Sequence, residues 1–168
     1  MAQETLSTSE TERKFVLSRA PEGLENFPVA HILQGYLVIT PDHEMRLRKK
    51  TSQKGISYSF AYKGGHGITR RELDLGTTEE SFNKYWGETE GRRVEKHRYT
   101  VSLPERTETF EVDVFLSVPG LILLEVEFTS ADEAASFVLP REFYGAREVT
   151  GQPQYENQSL SQYGLSDV

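Results

Sequence analysis

Cysteine is absent from the 168 residues, which removes disulfides, thiolate metal sites and cysteine nucleophiles together and fits a cytoplasmic protein. Long apolar runs are absent too, and nothing approaches the ~20 residues that a membrane helix requires. The opening residues Met1 to Ser9 carry neither the basic start nor the apolar core of a secretory signal, and they read as a flexible end. A basic excess is also missing: 19 Lys and Arg stand against 26 Asp and Glu, a formal charge of -7. That balance excludes an outer surface built to hold a nucleic-acid duplex, which needs a basic footprint. An anion would have to be held in a local basic pocket. No repeat, linker or low-complexity tract divides the chain, so a single domain over 1–168 is expected, monomeric or homodimeric.

What the chain does contain is a series of short alternating segments separated by turn residues, the pattern of an antiparallel β protein. Eight are expected, near Glu10 to Leu17, Val29 to Thr40, Glu44 to Lys50, Gly55 to Lys63, Ile68 to Leu75, Val94 to Leu103, Thr107 to Val114 and Leu121 to Phe128. Pro41-Asp42, Gly64 to Gly67, Pro104 to Arg106 and Pro119-Gly120 supply the backbone angles that reversals need. Thr77 with Glu80 predicts a capping box ahead of a helix through Phe82 and Trp86, and Ser130 with Glu133 predicts a second. The polar tail from Gly151 to Val168, anchored by Tyr155, Leu160 and Tyr163, reads as a short docking helix or as partly disordered chain.

Residues two apart share one face of a strand. Glu10/Glu12, Arg46/Arg48, Glu72/Asp74, Lys96/Arg98, Glu111/Asp113 and Glu125/Glu127 therefore each project together. Lys14 continues the face of Glu10 and Glu12, and Lys63 ends a strand whose same-side residues Ser57, Ser59 and Ala61 are small. Opposite faces are apolar, as in Phe110, Val112 and Val114. One reading is a sheet with its apolar face on helices and its charged face in water. The sorting of sign favours another, because acids fall in the first, seventh and eighth strands and bases in the third and sixth. Like charges on a shared face repel unless ions of opposite sign lie between them: metals for the acids, phosphates for the bases.

Eight strands closed into a barrel leave an interior wide enough for a small ligand. On the charged face six cations (Lys14, Arg46, Arg48, Lys63, Lys96, Arg98) stand against seven acids (Glu10, Glu12, Glu72, Glu111, Asp113, Glu125, Glu127). Two divalent cations would turn that single negative excess into a net charge of +3, suited to a polyphosphate.

Glu10-Thr11-Glu12-Arg13-Lys14 resembles the ExExK opening strand of the CYTH superfamily, the triphosphate tunnel metalloenzymes. The later elements follow in that family's order: Arg46-Leu47-Arg48, Lys63-Gly64, Arg70 to Asp74, Glu95 to Tyr99, Glu111-Val112-Asp113 and Glu125-Val126-Glu127. Arg147 to Gly151 with Tyr155 and Asn157 resembles the closing segment of the small bacterial members, so the match spans about residues 10 to 160. The resemblance implies a closed eight-stranded antiparallel β-barrel with flanking helices that hydrolyses a triphosphate, with inorganic tripolyphosphate first. It implies Mg2+ or Mn2+, two ions, held by Glu10, Glu12, Glu125 and Glu127. Glu72, Glu111 and Asp113 would bind a second ion or orient water, and Lys14, Arg46, Arg48, Lys63, Lys96 and Arg98 would hold the phosphates. The family also contains adenylate cyclases, thiamine triphosphatases and RNA 5'-triphosphatases, and a non-catalytic polyphosphate or nucleotide binder is a further alternative.

Other features read as structural. His31, His43, His66 and His97 lack metal-ligand spacing, and His97 alternates with Lys96 and Arg98, so it is expected to point away from the tunnel. The glycines at Gly64 to Gly67 lack the following lysine of a P-loop. Trp86 is expected to anchor its helix on the barrel. Arg13, at a position of the first strand that faces outward, is expected to need local cover.

Overall fold

The structure, a computed structural model, describes residues 8–65 and 69–165; the side chains of residues 8–10, 69 and 70 fall outside that description. Nine strands are described: β1 (Thr8–Val16), β2 (Val29–Ile39), β3 (His43–Ser52), β4 (Gly55–Gly64), β5 (Thr69–Thr77), β6 (Arg93–Ser102), β7 (Thr109–Phe115), β8 (Ile122–Phe128) and β9 (Arg147–Glu148). Three helices flank them: α1 (Glu79–Trp86), α2 (Ala131–Ser136) and α3 (Asn157–Tyr163). All pairings are antiparallel, in the order β5-β4-β3-β2-β6-β7-β8-β1-β9, with β5 also paired to β1. That last pairing, Thr8–Thr11 against Thr69–Glu72, joins the ends of the sheet into a barrel-like tunnel. The remainder of β1 turns to β8 on one side and to β9 on the other.

Alternation decides which residues line the tunnel. The register sets Lys14 opposite Glu125, Arg98 opposite Asp113, Ala30 opposite Arg98, Gln34 opposite Arg48 and Lys63 opposite Glu72. The other face of β7 and β8, with Phe15 of β1 and Val101 of β6, is apolar and is covered from outside. Phe15, Val101, Phe110, Val112, Leu124 and Val126 are buried beneath Ala134, Phe137 and Phe143 of α2 and the segment after it. Burial of aliphatic and aromatic side chains of this size stabilises a fold by roughly 1.5–3 kcal/mol each. On the opposite flank α1 lays Phe82 and Tyr85 against Tyr58 and Phe60.

Local chemistry explains the helix ends. Ser130 accepts from Glu133 N–H, while the Glu133 carboxylate accepts from Thr129, so the second capping pair forms as expected. The first is corrected by one residue: β5 runs through Thr77, and Thr78 is the cap, accepting from Ser81 N–H. Trp86 stacks on Phe82 at 4.8 Å, and the Arg93 guanidinium lies 4.3 Å above its ring. Thr89 is buried in the turn after α1, and a Cβ on Gly35 would come within 2.5 Å of its hydroxyl. Only glycine allows that turn to approach β2 so closely.

The unexpected element is β9, whose two residues pair with Phe15 and Val16. It delivers the tail to one end of the tunnel, where α3 docks as a helix. Gly65 takes a left-handed φ of 105° in the turn after β4, and His66 and Gly67 of the expected hairpin lie outside the described residues. Among the described residues no helix is long and apolar enough to cross a membrane.

Candidate active site

Adjacent strands supply the tunnel wall in pairs. On β6 and β7, Asp113 is buried and accepts from Lys96 Nζ at 2.5 Å and from Arg98 Nε and Nη2 at 2.7 Å each. Arg98 reaches on to Glu125 on β8 at 2.9 Å and pairs with Glu111. On β1, Lys14 lies 3.5 Å from Glu125 and 3.7 Å from Glu12. On the far wall Arg46 and Lys63 share Glu72 at 2.5 and 2.9 Å. The sorting of sign seen along the sequence thus becomes, in space, an interlocked layer in which most cations touch an acid.

Arg48 is the exception. Its Nε donates to the neutral Gln34 Oε1 at 2.9 Å, and no described carboxylate lies within ion-pair reach. Burial, with Arg46 and Arg98 nearby, lowers its pKa to about 10. A half-buried guanidinium in that position is stabilised by an incoming anion. Arg46 adds a buried Nε–H with no partner among the described residues.

The remaining shifts describe a crowded field. Burial pulls the Lys96 ammonium down to about 8 against the attraction of Asp113, with Arg98 adding to the fall. Burial alone would depress Lys14, yet Glu125, Glu156 and Glu12 together raise it above the usual lysine value. Burial opposes ionisation of Glu125, but Lys14 and Arg98 outweigh it and hold that carboxylate far below its usual range. Glu12 and Glu111 move the other way, pushed up by burial, with the charge of Glu125 contributing to each.

Glu12 stands opposite Glu127, and Glu111 opposite Glu125, across neighbouring strands. Glu127 is exposed at the mouth. Raised carboxylates beside further carboxylates are an environment that a cation relieves, and their hard oxygens suit Mg2+ or Mn2+. The donor set fits such an ion chemically, although no three of the described groups converge at ligand spacing. Glu10 pairs through its backbone with Arg70, and its side chain lies outside the described residues.

The structure brings every other expected site residue to this tunnel, along with several that were not anticipated. Glu44 is buried two residues before Arg46 on the same face, and Tyr36 donates no charge but is fully buried beside it, accepting from Gln34 Nε2 at 2.8 Å. Period-two counting back from Arg46 reaches Glu44. Glu156, Asn157 and Gln158 arrive from the tail: Glu156 Oε2 is 3.4 Å from Lys14 Nζ, and Asn157 Oδ1 accepts from Lys96 Nζ at 3.1 Å. Asn157 belongs to the closing segment that carries the family resemblance, and Tyr155 and Leu160 are the sequence signal for the insertion of Glu156 and Gln158.

Features read as structural behave so. His97 faces outward against His31, with ring centroids 5.5 Å apart, and His31 pairs with Glu95 at 2.7 Å. Arg13 finds its cover outside the tunnel. It is bidentate to Glu148 at 2.7–2.8 Å and donates to Ala134 O and Phe137 O.

No protein-family model matches the chain. An inorganic triphosphatase of Nitrosomonas europaea is 39% identical over 155 residues, covering 91% of this chain and 97% of that protein. A crystal structure of the inorganic triphosphatase NE1496 superposes with a TM-score of 0.67 at 36% identity, over 92% of this chain and 95% of the other. A Pyrococcus horikoshii protein of solved structure, 20% identical, aligns over 75% of this chain and 82% of its own with a TM-score of 0.55, a likeness of fold alone.

Proposed function

Because the chain belongs to the CYTH family of triphosphate tunnel enzymes, with inorganic triphosphatases among its relatives, we propose that it hydrolyses inorganic tripolyphosphate to pyrophosphate and orthophosphate. The observation that carries this reading is Arg48, a half-buried guanidinium on the tunnel wall near Arg46 and Arg98 whose hydrogen-bond partner among the described residues is the neutral Gln34. Guanidinium forks meet phosphate oxygens two at a time, and a substrate anion supplies the charge that Arg48 lacks.

In this reading Arg46, Arg48, Arg98, Lys63, Lys96 and Lys14 hold the phosphate chain from opposite walls. They stabilise the equatorial oxygens of the phosphoryl group in transfer and the leaving pyrophosphate. Glu10, Glu12, Glu125 and Glu127 hold Mg2+ or Mn2+, two ions in the full site. A bound divalent ion neutralises phosphate charge and lowers the pKa of a water for in-line attack. Asp113 and Glu72, each engaged by two cations, hold those cations in position. Glu111, at the mouth side of Arg98 and with its pKa raised, orients the attacking water. Proton transfer at a carboxylate is efficient when its pKa moves toward the working pH. The absence of cysteine suits a cytoplasmic setting.

The test is a substrate panel of tripolyphosphate, thiamine triphosphate, ATP and triphosphorylated RNA with Mg2+ or Mn2+, following phosphate and cyclic AMP together. Metal-dependent phosphate release, fastest from tripolyphosphate, is expected. Cyclic AMP from ATP, or no turnover of any of the four, overturns the proposal.

A further inference from the structure

One end of the tunnel is shut by the chain's own tail. Val149 N–H donates to Lys14 O at 2.8 Å and Lys14 N–H donates to Thr150 Oγ1 at 3.0 Å, which sets the tail's register on β1. Tyr155 and Leu160 are then buried with Val94, Phe115, Leu121 and Leu123 across that end. The residues between the two anchors form a floor, and what they present upward is oxygen. The Glu156 carboxylate sits at Lys14, the Asn157 carbonyl oxygen at Lys96, and Gln158 Oε1 is buried without a hydrogen-bond partner among the described residues. A small open cleft at the edge of the floor is lined by Gln158 with Asp42 and Glu44 as well as Lys63. Phosphate oxygens are acceptors too, so a phosphoryl group pushed toward this end meets like charge and acceptor facing acceptor.

We propose that Glu156 sets the length of polyphosphate the tunnel takes: three phosphoryl groups lie above the floor, and a fourth is turned back by the Glu156 carboxylate beside Lys14. The proposal rests on the triphosphatase reading. It deepens that reading by assigning length selection to a residue outside the barrel strands. The carboxylates at the mouth fix where the chain is held, so any surplus length must go toward the floor. Glu156 is partly exposed and makes no capping bond from its side chain to α3; its carboxylate is tied to Lys14, which keeps Glu12 and Glu125 as partners when Glu156 is replaced.

The experiment compares tetrapolyphosphate with tripolyphosphate in wild type, Glu156→Gln and Glu156→Lys. It reads kcat/KM for each substrate and, independently of turnover, the rise in melting temperature that each gives in Mg2+. Removing one like charge within a few ångströms in a poorly solvated site changes such a ratio by about tenfold. The tetrapolyphosphate to tripolyphosphate ratio should rise about tenfold in Glu156→Gln and further in Glu156→Lys, by both readouts. Glu156→Ser, which places a capping hydroxyl at the start of α3, should match Glu156→Gln. Equal ratios in all four proteins, or a fall, overturn the proposal. If wild type hydrolyses neither substrate, the triphosphatase reading fails, and the melting shifts still decide whether the floor discriminates length.

Discussion

Asp113→Asn tests the interlocked layer where it is tightest. Asp113 is fully buried and takes three charge-assisted hydrogen bonds, one from Lys96 and two from Arg98. The amide keeps the shape but loses the charge and turns a donor toward donors. Arg98 retains Glu125 and Glu111, whereas Lys96 is left with Asn157 Oδ1. Breaking a buried pair by removing one partner costs about 3–5 kcal/mol. Lys96 can relieve part of this by losing its proton, because its pKa is already about 8 and Asp113 is a group that holds it up. In the variant Lys96 is neutral at a lower pH than in wild type, so between the two values the native wild type binds more protons. The wild-type advantage is then greatest below both values, shrinks as pH rises toward about 8 and is level above it. Urea unfolding followed by the fluorescence of Trp86, the one tryptophan, should give about 3 kcal/mol at pH 7, equivalent to ~6–12 °C in Tm for a domain of this size, and clearly less at pH 9. A loss below about 1 kcal/mol at pH 7, or one that grows with pH, would mean that Asp113 does not hold Lys96 and Arg98 in this way.

Three further outcomes are expected. Glu127→Gln and Glu10→Gln should each lower kcat at least about 100-fold with unchanged circular dichroism, and wild-type rates in both would contradict the metal assignment. Arg48→Ala should raise KM for tripolyphosphate by about tenfold or more and lower kcat if Arg48 contacts the transferred group; unchanged steady-state constants would remove it from the substrate site. Arg13→Met breaks the tie between β1, α2 and β9 outside the tunnel and should cost about 1–2 kcal/mol in unfolding free energy while leaving KM unchanged. A shift in KM would mean that the outer cover reaches the site.

The inward face was legible because strand alternation is strict and the charges on it are sorted by sign. Arg46 and Arg48, Lys96 and Arg98, and Glu111 and Asp113 need only a period of two to be placed together, and the register brings them to one tunnel. Cross-strand partners were not legible, since pairing depends on closure: nothing local tells that Thr8–Thr11 will meet Thr69–Glu72. The cap at Thr78 instead of Thr77 turned on how far β5 persists, which sheet pairing with Tyr58 decides and propensity does not. The floor was hidden for a different reason. Glu156 and Gln158 sit in a polar tail whose burial comes from Tyr155 and Leu160 docking on Val94 and Leu123, distant in sequence. Glu44 was within reach of alternation, and its charge among arginines is what the pairwise reading passed over.

Hydrolysis in this tunnel requires water to attack a terminal phosphorus of the bound triphosphate. Tripolyphosphate turned over with Mg2+ or Mn2+ in 18O-enriched water, with the products followed by 31P NMR, tests it most directly. Equimolar pyrophosphate and orthophosphate, a single 18O in the orthophosphate and none in the pyrophosphate, and no reaction in EDTA are expected. Label in the pyrophosphate, or intact tripolyphosphate in the presence of either metal, would contradict that attack.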